Sequence, residues 1–249
     1  MSSRTALVTG AGRRIGAAIA KRLAANGARV VIHCHASRNE ADAVAAEIGT
    51  NAAVVQADLS NEADVDTLIA KAATCFGPLD VLINNASTFT NDDIHRVTWE
   101  SWHQNIQVNA AAPLFLSKHF AAQAPDGAVI VNILDQKVLQ LNPDFISYTM
   151  GKVALQGLTT MLAMGLAPKI RVNGIAPGLT LISGKQTPER FAQAQAAAPL
   201  GYSSTPEEIA SGVQFILDTP AMTGSILAID GGESLVSRPR DAFFHLGGK

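Results

Sequence analysis

The chain has 249 residues, 47% hydrophobic and 16% charged, which is the balance of a globular domain with a large core. Nineteen lysines and arginines stand against twenty-one aspartates and glutamates, a formal charge of −2 with no basic block, which excludes an electrostatic nucleic-acid or membrane-surface binder. No apolar run is long enough to span a bilayer and no basic-then-apolar leader opens the chain, so a cytoplasmic location is expected.

Short apolar runs alternate with Ala-rich patterns of helical period. Residues 4–9 read as a first strand and 14–26 as a helix closed by Gly27; 29–33 is a second strand and 40–48 a helix closed by Gly49. A third strand at 53–56 precedes a helix at 62–76, which Gly77-Pro78 ends. A fourth strand at 79–84 leads to a long helical stretch over 99–123, interrupted near Pro113. Residues 128–133 form strand five, 147–167 a helix, 170–175 strand six, 206–217 a helix and 226–229 a last short strand. Apolar strands separated by helices predict an α/β fold: a single-domain, Rossmann-type doubly wound parallel sheet of about seven strands, with helices on both faces. No repeat or linker divides residues 1–249.

Ligands of such sheets bind beyond the carboxyl ends of the strands, at the topological switch point. The first loop there holds Gly10, Gly12 and Gly16 in G-x-G-x-x-x-G spacing, with Arg13, Arg14 and Ile15 in the gap. Backbone N–H groups and a helix N-terminus in this setting suit a dinucleotide pyrophosphate, although the turn alone is also a plain strand-to-helix connection. The second strand ends His33-Cys34-His35-Ala36-Ser37-Arg38, with no carboxylate before Glu40. A carboxylate would repel a ribose 2′-phosphate, whereas His35, Ser37, Arg38 and Arg13 donate to one, so NADP(H) is expected over NAD(H). Asp58, followed by Leu59, is placed to accept from an adenine amino group; helix capping is the competing role, for which Ser60 is better positioned. His33 and His35 have no third ligand nearby and no metal site is expected, while Cys34 and Cys75 read as free thiols.

Tyr148 and Lys152 stand i, i+4 at the start of the 147–167 helix, so both point into one cleft. An ammonium beside a phenol stabilises the phenolate and suits the pair to proton transfer near neutral pH. With Asn84-Asn85-Ala86 after strand four, Asn109, Pro177-Gly178 and Asp230-Gly231-Gly232, the chain resembles a short-chain dehydrogenase/reductase over residues 4–235. It departs from the ordinary pattern at three places. Asp135 stands thirteen residues before Tyr148, where a serine is usual; Arg14 replaces the middle glycine of the turn; Ser87 replaces the glycine after Asn85-Ala86. Together with His33-x-His35-x-Ser37 and Phe89, these departures resemble the pteridine reductase branch and the related bacterial dihydromonapterin reductases.

The resemblance implies an NADPH-dependent reduction of a C=N bond in a pterin or dihydropterin of the biopterin, monapterin or dihydrofolate class. Asp135 and Tyr148 would supply protons, Lys152 would hold the nicotinamide ribose and tune Tyr148, and Asn109 would hold a helix kink and a water. The implied cofactor set is Gly10, Gly12, Arg13, Arg14, Ile15, Gly16, His35, Ser37, Arg38, Asp58, Leu59, Asn85, Ala86, Ser87, Tyr148, Lys152, Pro177 and Gly178. The implied substrate set is Arg14, Ser87, Phe89, Asp135, Tyr148 and Leu179. Stacking of Phe89 on a flat pterin is worth roughly 0.5–1.5 kcal/mol beyond area burial, and a plain core anchor is its alternative role.

A homotetramer is also implied, with the 99–123 and 147–167 helices in the larger interface. Met150, Met161 and Met164 read as helix-face core or interface. The polar stretch 177–199 reads as a substrate lid that orders on binding. The tail 233–249, with Arg238, Arg240, Phe243, Phe244 and His245, is expected to pack on a neighbouring subunit, since adjacent aromatics are costly to leave in water. Two competing functions remain at this level: a carbonyl or alcohol oxidoreductase of the same superfamily, and a non-catalytic NADP(H)-binding sensor.

Overall fold

Aliphatic and β-branched runs build seven strands: β1 (Thr5–Val8), β2 (Arg29–Cys34), β3 (Ala52–Gln56), β4 (Val81–Asn84), β5 (Ala128–Ile133), β6 (Ile170–Pro177) and β7 (Ile226–Ile229). The computed structural model describes residues 4–182 and 186–245. The helices are α1 (Arg14–Ala25), α2 (Arg38–Ile48), α3 (Glu62–Phe76), α4 (Trp99–Ile106), α5 (Ala112–Gln123), α6 (Ile146–Leu166), α7 (Pro188–Ala196), α8 (Pro206–Asp218) and the one-turn α9 (Ala242–His245). All strand pairings are parallel, in the order β3-β2-β1-β4-β5-β6-β7. The sheet is the one expected from the sequence.

Side chains alternate across the pleat, and each face has its own core. Ala6, Val8, Val30 and Ile32 pack with Ile19 and Leu23 of α1, Val44 of α2, and Val213 and Ile216 of α8. Leu7, Val31, Leu82 and Ile130 pack on the other side with Leu68 of α3, Leu116 and Phe120 of α5, and Ala163 of α6. Covering both faces is why the strands read as unbroken apolar runs; each fully buried leucine or isoleucine contributes about 1.5–3 kcal/mol. Because β1 pairs with β2 on one side and β4 on the other, Leu7 standing opposite Val31 and Leu82, the connections diverge there and a crevice opens beyond the strand ends.

Several local expectations are corrected. The break in the 99–123 helix is a π-helical turn at Gln107–Ala111, ahead of Pro113, which sits in the first turn of α5 where its missing N–H is harmless. Asn61 caps α3, accepting from the Ala63 and Asp64 amides at 2.9 and 3.3 Å. Neither Ser60 nor Asp58 does so; Asp58 accepts instead from the Ser60 amide and hydroxyl at 2.9 and 2.7 Å. The stretch 177–199 contains α7, capped by Thr187, and residues 183–185 of it lie outside the described residues. Met150, Met161 and Met164 are exposed rather than core. Cys34 and Cys75 are free thiols. Among the described residues, no helix is long and apolar enough to cross a membrane, and no cluster of His, Cys, Asp and Glu could hold a metal ion.

His33 joins three strand ends. The Gly10 amide donates to its Nδ1 at 3.1 Å, and Nε2 donates to the Ala57 carbonyl at 3.1 Å, which assigns the ring proton to Nε2. Burial drives its pKa down to about 4 from 6.5. The unfolded chain therefore takes up a proton below about pH 6.5 that the folded chain refuses until about pH 4. Acidification through this window should cost about 3 kcal/mol through His33 alone. Denaturant unfolding across the same window should show a smaller acid-dependent loss in His33→Asn than in the parent, and an identical loss would refute the assignment.

Candidate active site

The glycine turn is bolted to the β4 loop. Thr9 Oγ1 accepts from the Asn85 and Ala86 amides, both at 2.9 Å, and donates to the Ile83 carbonyl at 3.2 Å. Asn85 Nδ2 donates back to the Thr9 and Gly10 carbonyls at 2.8 and 3.2 Å. This packing leaves no room for side chains. A Cβ on Gly16 would collide with the Gly10 carbonyl and lie 2.5 Å from Asn85 Nδ2, and one on Gly10, whose φ is +63°, would lie 2.9 Å from Ala86 Cα. The result is a bare backbone cradle ahead of α1, of the kind a pyrophosphate requires. Arg14 stands in the left-handed region at φ 57°, a backbone suited to the glycine it replaces. Its guanidinium donates to the Ile182 carbonyl at 2.8 Å and the Leu181 carbonyl at 3.4 Å, tying the turn to the 177–199 stretch.

Beside the cradle, a Cβ on Gly12 would lie 3.1 Å from Ser37 Oγ, so Ser37 borders the turn as expected. Arg38 is engaged with Asp42, its Nε 2.9 and 2.8 Å from the two carboxylate oxygens, and His35 lies 3.6 Å from Asp58. Arg13 is exposed at the N-cap of α1. Leu59 belongs to the core on the α3 and α5 face, and Ile15 packs against the core on the other face. Pro177 ends β6 opposite Ile229, and the next residue, Gly178, has no space for a Cβ against Ser203 Oγ and the Glu233 carboxylate.

Asp135 follows β5, and Tyr148 and Lys152 lie one turn apart on α6. The Tyr148 hydroxyl donates to Asp135 Oδ2 at 2.7 Å, and the Lys137 amide donates to Asp135 Oδ1 at 2.9 Å. Lys152 Nζ donates to the Ile133 carbonyl at 2.8 Å and stands 5.8 Å from the centre of the Tyr148 ring. Burial, followed by the charge and hydrogen bond of Asp135, raises the Tyr148 pKa well above 10. The expected phenolate stabilisation by Lys152 is thus overridden: Tyr148 is held as a protonated phenol. Burial also raises the Asp135 carboxyl, and it lowers Lys152 to about 8.

Asn109, in the π-turn and fully buried, organises the β4 loop. Its Oδ1 accepts from Ser87 Oγ at 2.8 Å and the Thr88 amide at 3.2 Å, and its Nδ2 donates to the Thr88 carbonyl at 3.0 Å. Ser87 is thereby fixed at the cleft. The start of α6 is held by a residue that sequence reasoning missed. Asp92 accepts from the Ser147 hydroxyl at 2.5 Å and amide at 3.2 Å, and from Ser101 Oγ at 3.0 Å. Nothing in its local sequence signals a cap for a helix more than fifty residues away. Packing of α6 on the π-turn is close enough that a Cβ on Gly151 would lie 2.9 Å from Asn109 Cβ.

Phe89 is 47% exposed; its ring meets Tyr148 edge-on at 4.7 Å and Phe145 at 4.5 Å, so it stands on the cleft and is not a core anchor. Arg240 forms a bidentate pair with Asp144, and Phe244 stacks on Phe145 at 5.7 Å, so the described tail residues pack on their own chain. The side chains of Phe243 and His245 lie outside the described residues. A further missed residue is Glu233. Buried, it accepts at Oε2 from the Leu179 amide and Ser203 Oγ, both at 3.1 Å, clamping the root of the 177–199 stretch. Burial raises its pKa to about 7.

A family profile described as enoyl-(acyl carrier protein) reductase matches residues 10–234. An uncharacterised oxidoreductase of Methylorubrum extorquens is 37% identical over 243 residues, 93% of this chain and 98% of that protein. Pteridine reductase 1 of Leishmania tarentolae is 34% identical over 277 residues, covering 92% of this chain and 96% of that protein. The crystal structure of FolM alternative dihydrofolate reductase 1 from Brucella canis, complexed with NADP, matches with a TM-score of 0.91 at 40% identity, over 94% of this chain and 95% of that one.

Glu233 gives a stability effect opposite in sign to that of His33. Its folded pKa of about 7 lies above the ordinary 4.5, so the folded chain keeps a proton that the unfolded chain has lost. Its contribution therefore declines as pH rises from about 4.5 to about 7, by about 3 kcal/mol in all. The stability difference between the parent and Glu233→Gln should shift in favour of the variant across that window, measured by denaturant unfolding; a pH-independent difference would refute it.

Proposed function

The chain belongs to the short-chain dehydrogenase/reductase family, in its pteridine-reductase-like branch, and on that premise we propose that it is an NADPH-dependent reductase of pterins or dihydropterins. The observation that carries this reading is the 2.7 Å hydrogen bond from Tyr148 to Asp135, beside a half-exposed Phe89 ring. A pterin is flat and rich in hydrogen-bonding edges. Phe89 offers it a ring to lie against, and Ser87 and Arg14 offer donors at the rim.

The backbone cradle of Gly10, Gly12 and Gly16 would hold the cofactor pyrophosphate. Ser37, Arg13, His35 and Arg38 would meet the 2′-phosphate, and Lys152 the nicotinamide ribose. Asp58, Asn85, Ala86, Pro177 and Gly178 complete the proposed lining. NADPH, when bound, supplies the hydride. The chain supplies the proton that reduction of a C=N bond needs at nitrogen. Tyr148 Oη holds that proton, its phenol kept protonated by burial and by Asp135. The Tyr148 hydroxyl donates to Asp135, so a proton held on that carboxyl would reach Tyr148 across one hydrogen bond. Leu179, held at its amide by Glu233, would border the substrate. A cytoplasmic homotetramer fits this reading: Phe115 on α5 and Met161 and Met164 on α6 present exposed apolar surface on the helices that would meet.

NADPH consumption with dihydrobiopterin, dihydromonapterin and dihydrofolate tests the assignment. Turnover of at least one is expected, with NADPH preferred over NADH, and Tyr148→Phe should lower kcat on the order of 10²-fold or more. Inactivity on all three alongside reduction of simple ketones would identify a carbonyl reductase. Cofactor binding with no turnover of either class would identify a sensor.

A further inference from the structure

After β7 the chain turns back across its own active site. Arg238 donates to the Ala197 carbonyl at 2.7 Å, and the guanidinium of Arg240 grips Asp144 at 2.6–2.9 Å. The Asp241 amide donates to the same carboxylate at 2.7 Å. These contacts deliver the Asp241 side chain to Lys137, with which it forms a close ion pair whose side chains are only 10% and 5% exposed. Lys137 is already part of the site: its amide donates to Asp135, and its ammonium also donates to Asn142 at 3.2 Å and covers the Phe145 ring at 5.1 Å.

We propose that Lys137 and Asp241 are a positioning charge pair that sets the proton affinity of the Asp135–Tyr148 donor, so that the C-terminal segment 238–244 is a working part of the active site of its own chain. The proposal rests on the pterin-reductase reading only for the substrate used in its assay. A buried pair screens poorly, so each member acts on the donor with its own sign. The groups facing that donor are Lys137 from the turn after β5, Lys152 from α6, Glu233 from the turn after β7, and Asp241 from the tail. Lys137 favours the ionised Asp135 carboxylate; Asp241 disfavours the Tyr148 phenolate. Removing the lysine charge therefore strengthens the hold on the proton, and removing the aspartate charge weakens it.

A purely structural pair would behave differently. Breaking it from either side would then damage the site in the same way, since each break leaves one buried charge uncompensated. The signs of the two effects separate the cases.

The experiment is the pH profile of kcat for the parent, Lys137→Met, Asp241→Asn and the double variant. The basic limb should move to higher pH in Lys137→Met and to lower pH in Asp241→Asn, each by on the order of one unit. The double variant should return toward the parent, and Lys137→Arg should match it. Movement of both single variants in the same direction, or of neither, would overturn the proposal. A second readout needs neither substrate nor cofactor. The chain has two tyrosines, and the exposed Tyr202 can be removed as Tyr202→Phe, leaving Tyr148 to titrate alone by the ultraviolet absorbance of tyrosinate. In that background Asp241→Asn should lower the midpoint and Lys137→Met should not; equal midpoints in all three would also overturn it. If the parent reduces no pterin, the functional reading fails while the tyrosinate titration still decides the role of the pair.

Discussion

Everything at the carboxyl edge of the sheet depends on the contact between the ends of β1 and β4. Two adjacent parallel strands whose connections run in opposite directions leave their terminal amides and carbonyls facing an open crevice. Here one threonine hydroxyl and one asparagine amide satisfy five backbone groups across that divide: Thr9 takes two amides and a carbonyl, Asn85 two carbonyls. The stitch fixes the glycine cradle, and it starts the β4 loop on the course that carries Ser87 and Phe89 to the cleft. His33 braces the same cradle from the opposite side, through an imidazole too buried to gain a proton at neutral pH. A phosphate-binding turn made of backbone needs such external scaffolding, because glycines contribute no side chains with which to hold their own shape.

Substituting aspartate for the serine at position 135 changes the electrostatics of the tyrosine it touches. A serine hydroxyl is neutral and leaves a nearby ammonium to dominate. A carboxylate at 2.7 Å opposes the ammonium and keeps the phenolic proton in place. Lys152, anchored on the Ile133 carbonyl and itself weakened by burial to about 8, is the lesser influence. The site thus favours a protonated Tyr148 over its phenolate at neutral pH.

Much of this was legible in the sequence, and the limits follow from range. Apolar runs revealed the sheet because both its faces are covered, and the i, i+4 spacing revealed Tyr148 and Lys152 because a helix fixes that geometry locally. Asp135, Arg14 and Ser87 stood out because they break a pattern. What stayed hidden is nonlocal. The Asp92 cap on α6, the clamp of Glu233 on Leu179, and the pairing of Lys137 with Asp241 each join segments that no periodicity connects. The contacts of the tail are nonlocal in the same way. Two adjacent aromatics do need cover, but Phe145, set at φ 58° in the turn before α6, supplies it for Phe244 within the same chain. The break expected near Pro113 is present, but the π-turn makes it, since a proline in a first helical turn breaks nothing.

The π-turn at Gln107–Ala111 has a consequence for how α4 and α5 answer to different partners. α4 lies against α6, whereas α5 is registered on α3 and the sheet. In a regular helix each residue advances the face by about 100°, so the phase that suits one partner dictates the phase offered to the other. The wide turn inserts a slip between them, and the two halves keep independent phase. Losing a single residue from this turn would therefore rotate one half against its partner wholesale. A change of count here therefore disturbs both halves at once, whereas replacing Asn109 disturbs the β4 loop that its side chain holds.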